Sequence, residues 1–135
     1  MQPDDSWTLS TVFDLKLEDN VDLIQKQSEV AGKEFSIETS LDAMEAGWEP
    51  VVLQIEPYKE TGTFIVKGTD DVSALLDDQI VKVQTMRGSP FIKPVERRAR
   101  DWERKLQYTQ LLLDEWLAFQ RTWLYLEPIF SSEDI

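Results

Sequence analysis

Apolar residues at Leu9, Phe13, Leu17, Val21 and Ile24 recur at steps of four and three, which predicts one face of an α-helix. Ser6 or Ser10 offers an N-cap, and Gly32 an end. A second stripe of Ile37, Leu41, Met44 and Trp48, closed by Gly47 and Pro50, predicts a further helix, so residues 1–50 read as a helix pair turning at Gly32. The period then drops to two. Val51, Leu53 and Ile55 alternate with Val52, Gln54 and Glu56, and Thr63 to Lys67 is again β-branched and aromatic. That pattern predicts a β-hairpin over 51–68, with strands near 51–56 and 63–67 joined by a loop from Pro57 to Gly62.

Helical spacing returns over 69–87. Thr69 is placed to cap this helix, Asp70 and Asp71 suit its N-terminal dipole, and Val72, Leu75, Leu76, Gln79, Ile80 and Val83 form its face. Gly88, Ser89 and Pro90 break it. Pro94 then stands where a first-turn proline is welcome, and no Gly or Pro follows until Pro128. The 33 residues of 94–126 predict a helix of about 50 Å. Its stripe, Ala99, Trp102, Leu106, Thr109, Leu113, Trp116, Gln120 and Trp123, repeats every seven residues and reads as bundle core, with Thr109 and Gln120 as polar seam positions that set register or meet a partner. The fold expected is mainly α: an elongated helical bundle of about four helices with one inserted β-hairpin, forming a single unit over 1–135.

Composition narrows the chemistry. The chain has 135 residues, 26 acids against 14 bases, net charge −12, and neither His nor Cys. A His-based triad, a Cys nucleophile, the usual zinc sites and a disulfide framework are thereby excluded. With 41% apolar residues and five Trp the chain has the means to build a core. No stretch approaches the ~18 apolar residues of a membrane span, and MQPDDSWTLS lacks a signal-peptide pattern, so the expectation is a soluble chain without a membrane partner.

The acidic doublets Asp4–Asp5, Asp70–Asp71, Asp77–Asp78 and Asp114–Glu115 are read as solvated faces, because helical neighbours point about 100° apart and do not converge on one substrate atom. None has calcium-loop spacing. Gly32–Lys33 is followed by Glu34 and has Gln27 where a phosphate loop needs its first glycine, so no nucleotide site is expected. Neither catalytic residue, cofactor-binding residue nor metal ligand is expected in this chain.

Charge is unevenly placed. Residues 1–58 carry 13 acids and 3 bases, whereas 82–105 carry Lys82, Arg87, Lys93, Arg97, Arg98, Arg100, Arg104 and Lys105 against three acids, net +5. With only Phe91 and Trp102 as aromatics, in an acidic protein, this stretch is read as pairing with the acidic half of the chain or with another acidic protein surface, and not with nucleic acid.

The runs EPYKETGTFIVKG at 56–68, ALLDDQIVKVQTMRGSPFIKP at 74–94, WERKL at 102–106 and LDEWLAFQRTWLYLEPIFSSEDI at 113–135 resemble the linker region of a dynein heavy chain of axonemal type. The first 50 residues resemble the preceding helices of that region more loosely. The resemblance implies a mechanical part of a much larger chain: an α-helical rod with a small β-hairpin that arches over a ring of ATPase modules and bends and straightens to drive movement along microtubules. It implies ATP and Mg bound elsewhere in the parent chain, the rest of that heavy chain and its ATPase ring as partners, microtubules and other dynein chains engaged through other parts, and a place in the cytoskeleton of a ciliary or flagellar axoneme. On this reading the 135 residues are an excised portion of the linker. Candidate interaction residues are Tyr58 and Lys59 at the hairpin tip and Arg87, Arg97, Arg98 and Arg100 in the basic stretch. Gly88, Pro90 and Pro128 are candidate hinges, because they interrupt the helical hydrogen-bond ladder. Two further readings stand beside it: a free-standing acidic helical adaptor binding a partner through its Trp stripe, and a carboxylate enzyme.

Overall fold

A computed structural model describes residues 4–133; the last two residues of the 113–135 run lie outside the described residues. Four α-helices and one two-stranded antiparallel sheet make up the fold, in the order α1 (Leu9–Asp14), α2 (Val21–Ala46), β1 (Gln54–Tyr58), β2 (Thr63–Lys67), α3 (Asp70–Arg87) and α4 (Glu96–Phe130), with 3-10 turns at Leu17–Asn20 and Lys93–Val95.

The helix pair expected over 1–50 divides elsewhere than at Gly32. α1 is only six residues long, and Thr8 caps it through a box with Thr11, while Ser6 is engaged with Asp4 instead. The chain then turns at Lys16, whose φ is 51°, and α2 runs 26 residues straight through Gly32. Nothing lies within 4 Å of a Cβ placed on Gly32. A lone glycine costs a helix about 1 kcal/mol relative to alanine, and with no proline or second breaker beside it the ladder continues. Leu9, Phe13, Val21 and Ile24 consequently remain exposed, whereas the second stripe behaves as expected: Leu41 and Met44 are buried, and Ile37 and Trp48 pack against the core.

The hairpin is offset from its expected limits because its loop is four residues, Lys59 to Gly62, with φ of 49° and 73° at its two ends. With β2 at Thr63–Lys67, that loop fixes the register Tyr58↔Thr63 through Gln54↔Lys67, which carries Pro57 and Tyr58 into the strand and leaves 51–53 outside it. Val66 directs both its N–H and its C=O away from β1, to Gln120, so Ile55↔Val66 is a pair without mutual hydrogen bonds. By alternation Pro57↔Phe64 belongs to the same class, and the missing N–H of Pro57 costs the ladder nothing.

α3 and α4 lie antiparallel: Arg87 at the end of α3 reaches Glu103 near the start of α4, and Asp77 reaches Gln110. Their shared core, joined by the last turns of α2, contains Leu41, Met44, Leu76, Val83, Ile92, Ala99, Leu106 and Leu113. α4 spans 35 residues, about 52 Å, and includes Pro128, so Pro128 lies inside the helix and not at its end. The seam of α4 also differs from the expected one. Ala99, Glu103, Leu106 and Leu113 are buried, while Thr109 is exposed and Trp116 keeps 49% of its surface. Ala99, Leu106 and Leu113 belong to both stripes and Trp102 packs against the core as expected, with Glu103 buried beside it where Arg87 neutralises it; further along, the flank shifts from 109 and 116 to the neighbouring 110 and 117.

Candidate functional site

Two carboxamides tie the elements together. In α3, Gln79 is 5% exposed; its Oε1 accepts from Trp48 Nε1 at 2.7 Å, and its Nε2 donates to the Met44 carbonyl at 3.0 Å. That carbonyl lies in the last turn of α2, where the helix supplies no partner. Gln120 performs the same service for the hairpin: Val66 N–H donates to Oε1 at 2.7 Å, and Nε2 donates to Val66 C=O at 2.9 Å. The side chain of α4 thus pairs with the open edge of β2 as a neighbouring strand would. Beside it Ile65 is buried, and Tyr58 meets Trp123 edge-on with ring centroids 5.2 Å apart.

The candidate interaction residues fall into different situations. Tyr58 is half-buried against Trp123, and Lys59 lies 3.7 Å from Glu127, so both hold the hairpin on α4. The Lys59 ammonium is held above the ordinary lysine range, first by its contact with Tyr58 and then by the Glu127 carboxylate. Arg87 pairs with Glu103, whose second oxygen accepts from Gln107 at 3.3 Å. Arg98 binds Glu45 through two nitrogens, at 3.2 and 2.8 Å, and Asp42 at 2.6 Å, and these carboxylates raise its already high pKa further. Arg98 thereby fastens the end of α2 to the start of α4. Arg100 pairs with Glu96 one turn away at 3.3 Å. The Arg97 side chain makes no ion pair or hydrogen bond among the described residues, and the same holds for the side chains of Lys93, Arg104 and Lys105.

Of the candidate hinges, Gly88 closes α3, its N–H donating to the Thr85 carbonyl at 3.1 Å, and Pro90 lies in the exposed turn that follows. The turn is anchored by buried Ile92 and by Phe91, whose ring stands 4.8 Å from Lys33 Nζ. The acidic doublets are exposed, and among the described residues no group of carboxylates is placed to hold a metal ion. No described helix is long and apolar enough to cross a membrane.

Sequence reasoning missed Glu103 and half of the bracing. Glu103 reads as an ordinary surface acid in WERKL, and only the arrival of Arg87, sixteen residues earlier, permits its burial at 7% exposure. The polar interruptions at Gln79 and Gln120 within apolar stripes were the available signal for the two carboxamide ties.

A family model for the dynein heavy chain, N-terminal region 2, matches residues 1–135. The chain is 50% identical to dynein axonemal heavy chain 1 of Mus musculus, over 135 residues that make up 100% of this chain and 3% of that protein. It is 47% identical to dynein axonemal heavy chain 12 of Rattus norvegicus, again over its full length and 4% of the relative, and 45% identical to dynein axonemal heavy chain 3 of Homo sapiens, covering 3% of it.

Proposed function

The chain belongs to the dynein heavy chain family, matching its N-terminal region 2, and from that premise we propose that it is a noncatalytic, force-transmitting segment of the linker of an axonemal dynein heavy chain. On this reading it performs no reaction. ATP and Mg are bound elsewhere in the parent chain, the partners of this segment are the rest of that chain and its ATPase ring, and microtubules and other dynein chains are engaged through other parts. The axonemal heavy chains it resembles support a place in the ciliary or flagellar axoneme.

The observation that carries the reading is α4. A helix of 35 residues resists bending only when neighbours hold it laterally, and α4 is held at its start by Arg98 on α2, then over its first half by α3, and near its end by Gln120 and Trp123 under the hairpin. A strut that passes on displacement needs such distributed bracing, and no titratable cluster is required for the task.

Breaking the strut between its braces tests this. Glu115 is exposed in α4 between the part packed on α3 and the part under the hairpin. Proline at 115 removes one ladder bond and costs the helix about 3 kcal/mol or more. In a full-length motor, Glu115→Pro should slow microtubule gliding while ATP turnover persists, and Glu115→Ala should glide normally. Undiminished gliding by the proline variant would count against a lever. No observation here favours the free-standing adaptor.

A further inference from the structure

The cations that find no partner within the described residues are concentrated at the beginning of α4. Arg87, Arg98 and Arg100 are neutralised by carboxylates of this chain, but Lys93, Arg97, Arg104 and Lys105 are not, in a protein whose net charge is −12. Arg97 stands in the first turn of α4, where the helix dipole disfavours a cation, and Asp101, one turn on, is the single carboxylate of that helix that shares a cleft with Arg97 and Lys105.

Arg97 and Lys105, eight residues and about 12 Å apart along the axis, line this cleft of about 390 Å³ with Arg98, Pro94 and Trp102 and with two carboxylates, Glu45, which Arg98 already engages, and Asp101. Trp102 and Lys105 also line a neighbouring cleft of about 340 Å³, whose remaining wall includes Trp48 and Tyr108. The two clefts therefore form one groove, cationic at the start of α4 and aromatic beyond it. Arg98 provides the in-chain precedent for its chemistry: on the same turn of α4, Asp42 and Glu45 of α2 already satisfy a guanidinium.

We propose that this groove receives an acidic segment of the same heavy chain from outside these 135 residues, with carboxylates on Arg97 and Lys105 and an apolar side chain against Trp48 and Trp102. This inference rests on the linker reading. With Glu45 engaged by Arg98, Arg97 and Lys105 outnumber the remaining carboxylate, Asp101, so the groove's excess charge favours an acidic occupant, and its aromatic half favours one that also carries apolar residues. Since the chain covers 3% of a relative such as dynein axonemal heavy chain 1, most of such a heavy chain lies beyond it to supply the segment.

Zero-length carbodiimide coupling in the full-length heavy chain, followed by peptide mass spectrometry, tests the assignment, because the reagent joins Lys105 Nζ only to a carboxylate already in contact with it. The expected product links Lys105 to an Asp or Glu of the same heavy chain outside these residues, and Arg97→Gln lowers its yield several-fold while leaving the Arg98 contacts intact. Coupling to Asp101 alone, one turn away, would overturn the proposal. So would coupling to residues 4–22 of a second copy, coupling to a separate chain, or no coupling at all. The readout is independent of gliding: a motor whose groove gives no external link but whose Glu115→Pro variant still glides slowly would refute the groove and keep the lever.

Discussion

Gln120 ties the hairpin to α4 through the backbone, because it answers both the N–H and the C=O of Val66 on an otherwise open strand edge. Truncation to alanine returns an N–H and a C=O to partial burial without partners, at about 1–2 kcal/mol. Gln120→Ala should therefore speed amide hydrogen exchange at Val66 by about 5- to 30-fold while leaving the α3 amides near Leu76 and Val83 protected. Unchanged exchange at Val66 would show that Ile65, Tyr58 and Trp123 hold the hairpin without it. This residue was partly legible: a Gln within an apolar stripe announces a polar contact. Its partner was not, since nothing in the sequence ties position 120 to a strand 54 residues earlier. The contacts of the candidate interaction residues Tyr58 and Lys59 with Trp123 and Glu127 are equally invisible in the sequence.

At the scale of elements, periodicity located the helices better than it located their ends. The stripe Ile37, Leu41, Met44 and Trp48 reached the core as its spacing indicated, and the buried face of α3 includes Leu76, Gln79 and Val83 of the expected set. The break before α2 went unread because it depends on a non-glycine residue, Lys16, adopting a positive φ, while the conspicuous Gly32 carries no turn. Gly32 should therefore accept a methyl group. With open space around its Cβ position, Gly32→Ala is expected to stabilise the chain by roughly 0.5–1 kcal/mol in urea unfolding, and a loss of stability would contradict an unbroken α2. Pro128 teaches the complementary lesson. A proline two residues short of Phe130 forfeits one ladder bond in a last turn that is already weakly bonded, so the helix passes it.

For the whole molecule, α3 and the end of α2 brace the first half of α4, the hairpin braces its far end, and the arm formed by α1 and the first turns of α2 stands clear of the core with Leu23 and Phe35 exposed. Leu112, Trp116 and Phe119 form a further uncovered stripe on α4. Fold class followed from spacing alone, but the mechanical role did not: a braced helix is compatible with many tasks, and the assignment to dynein rests on long matching runs and on membership of the heavy chain family. The most direct test of a stiff lever is a pair of single-molecule distances in the full-length motor. Dyes at Glu96 and Arg121, about 38 Å apart along α4, should report one unchanged separation with and without ATP, while the distance from Arg121 to the ATPase ring changes. A separation within α4 that varies with nucleotide, or a distance to the ring that does not, would contradict the account.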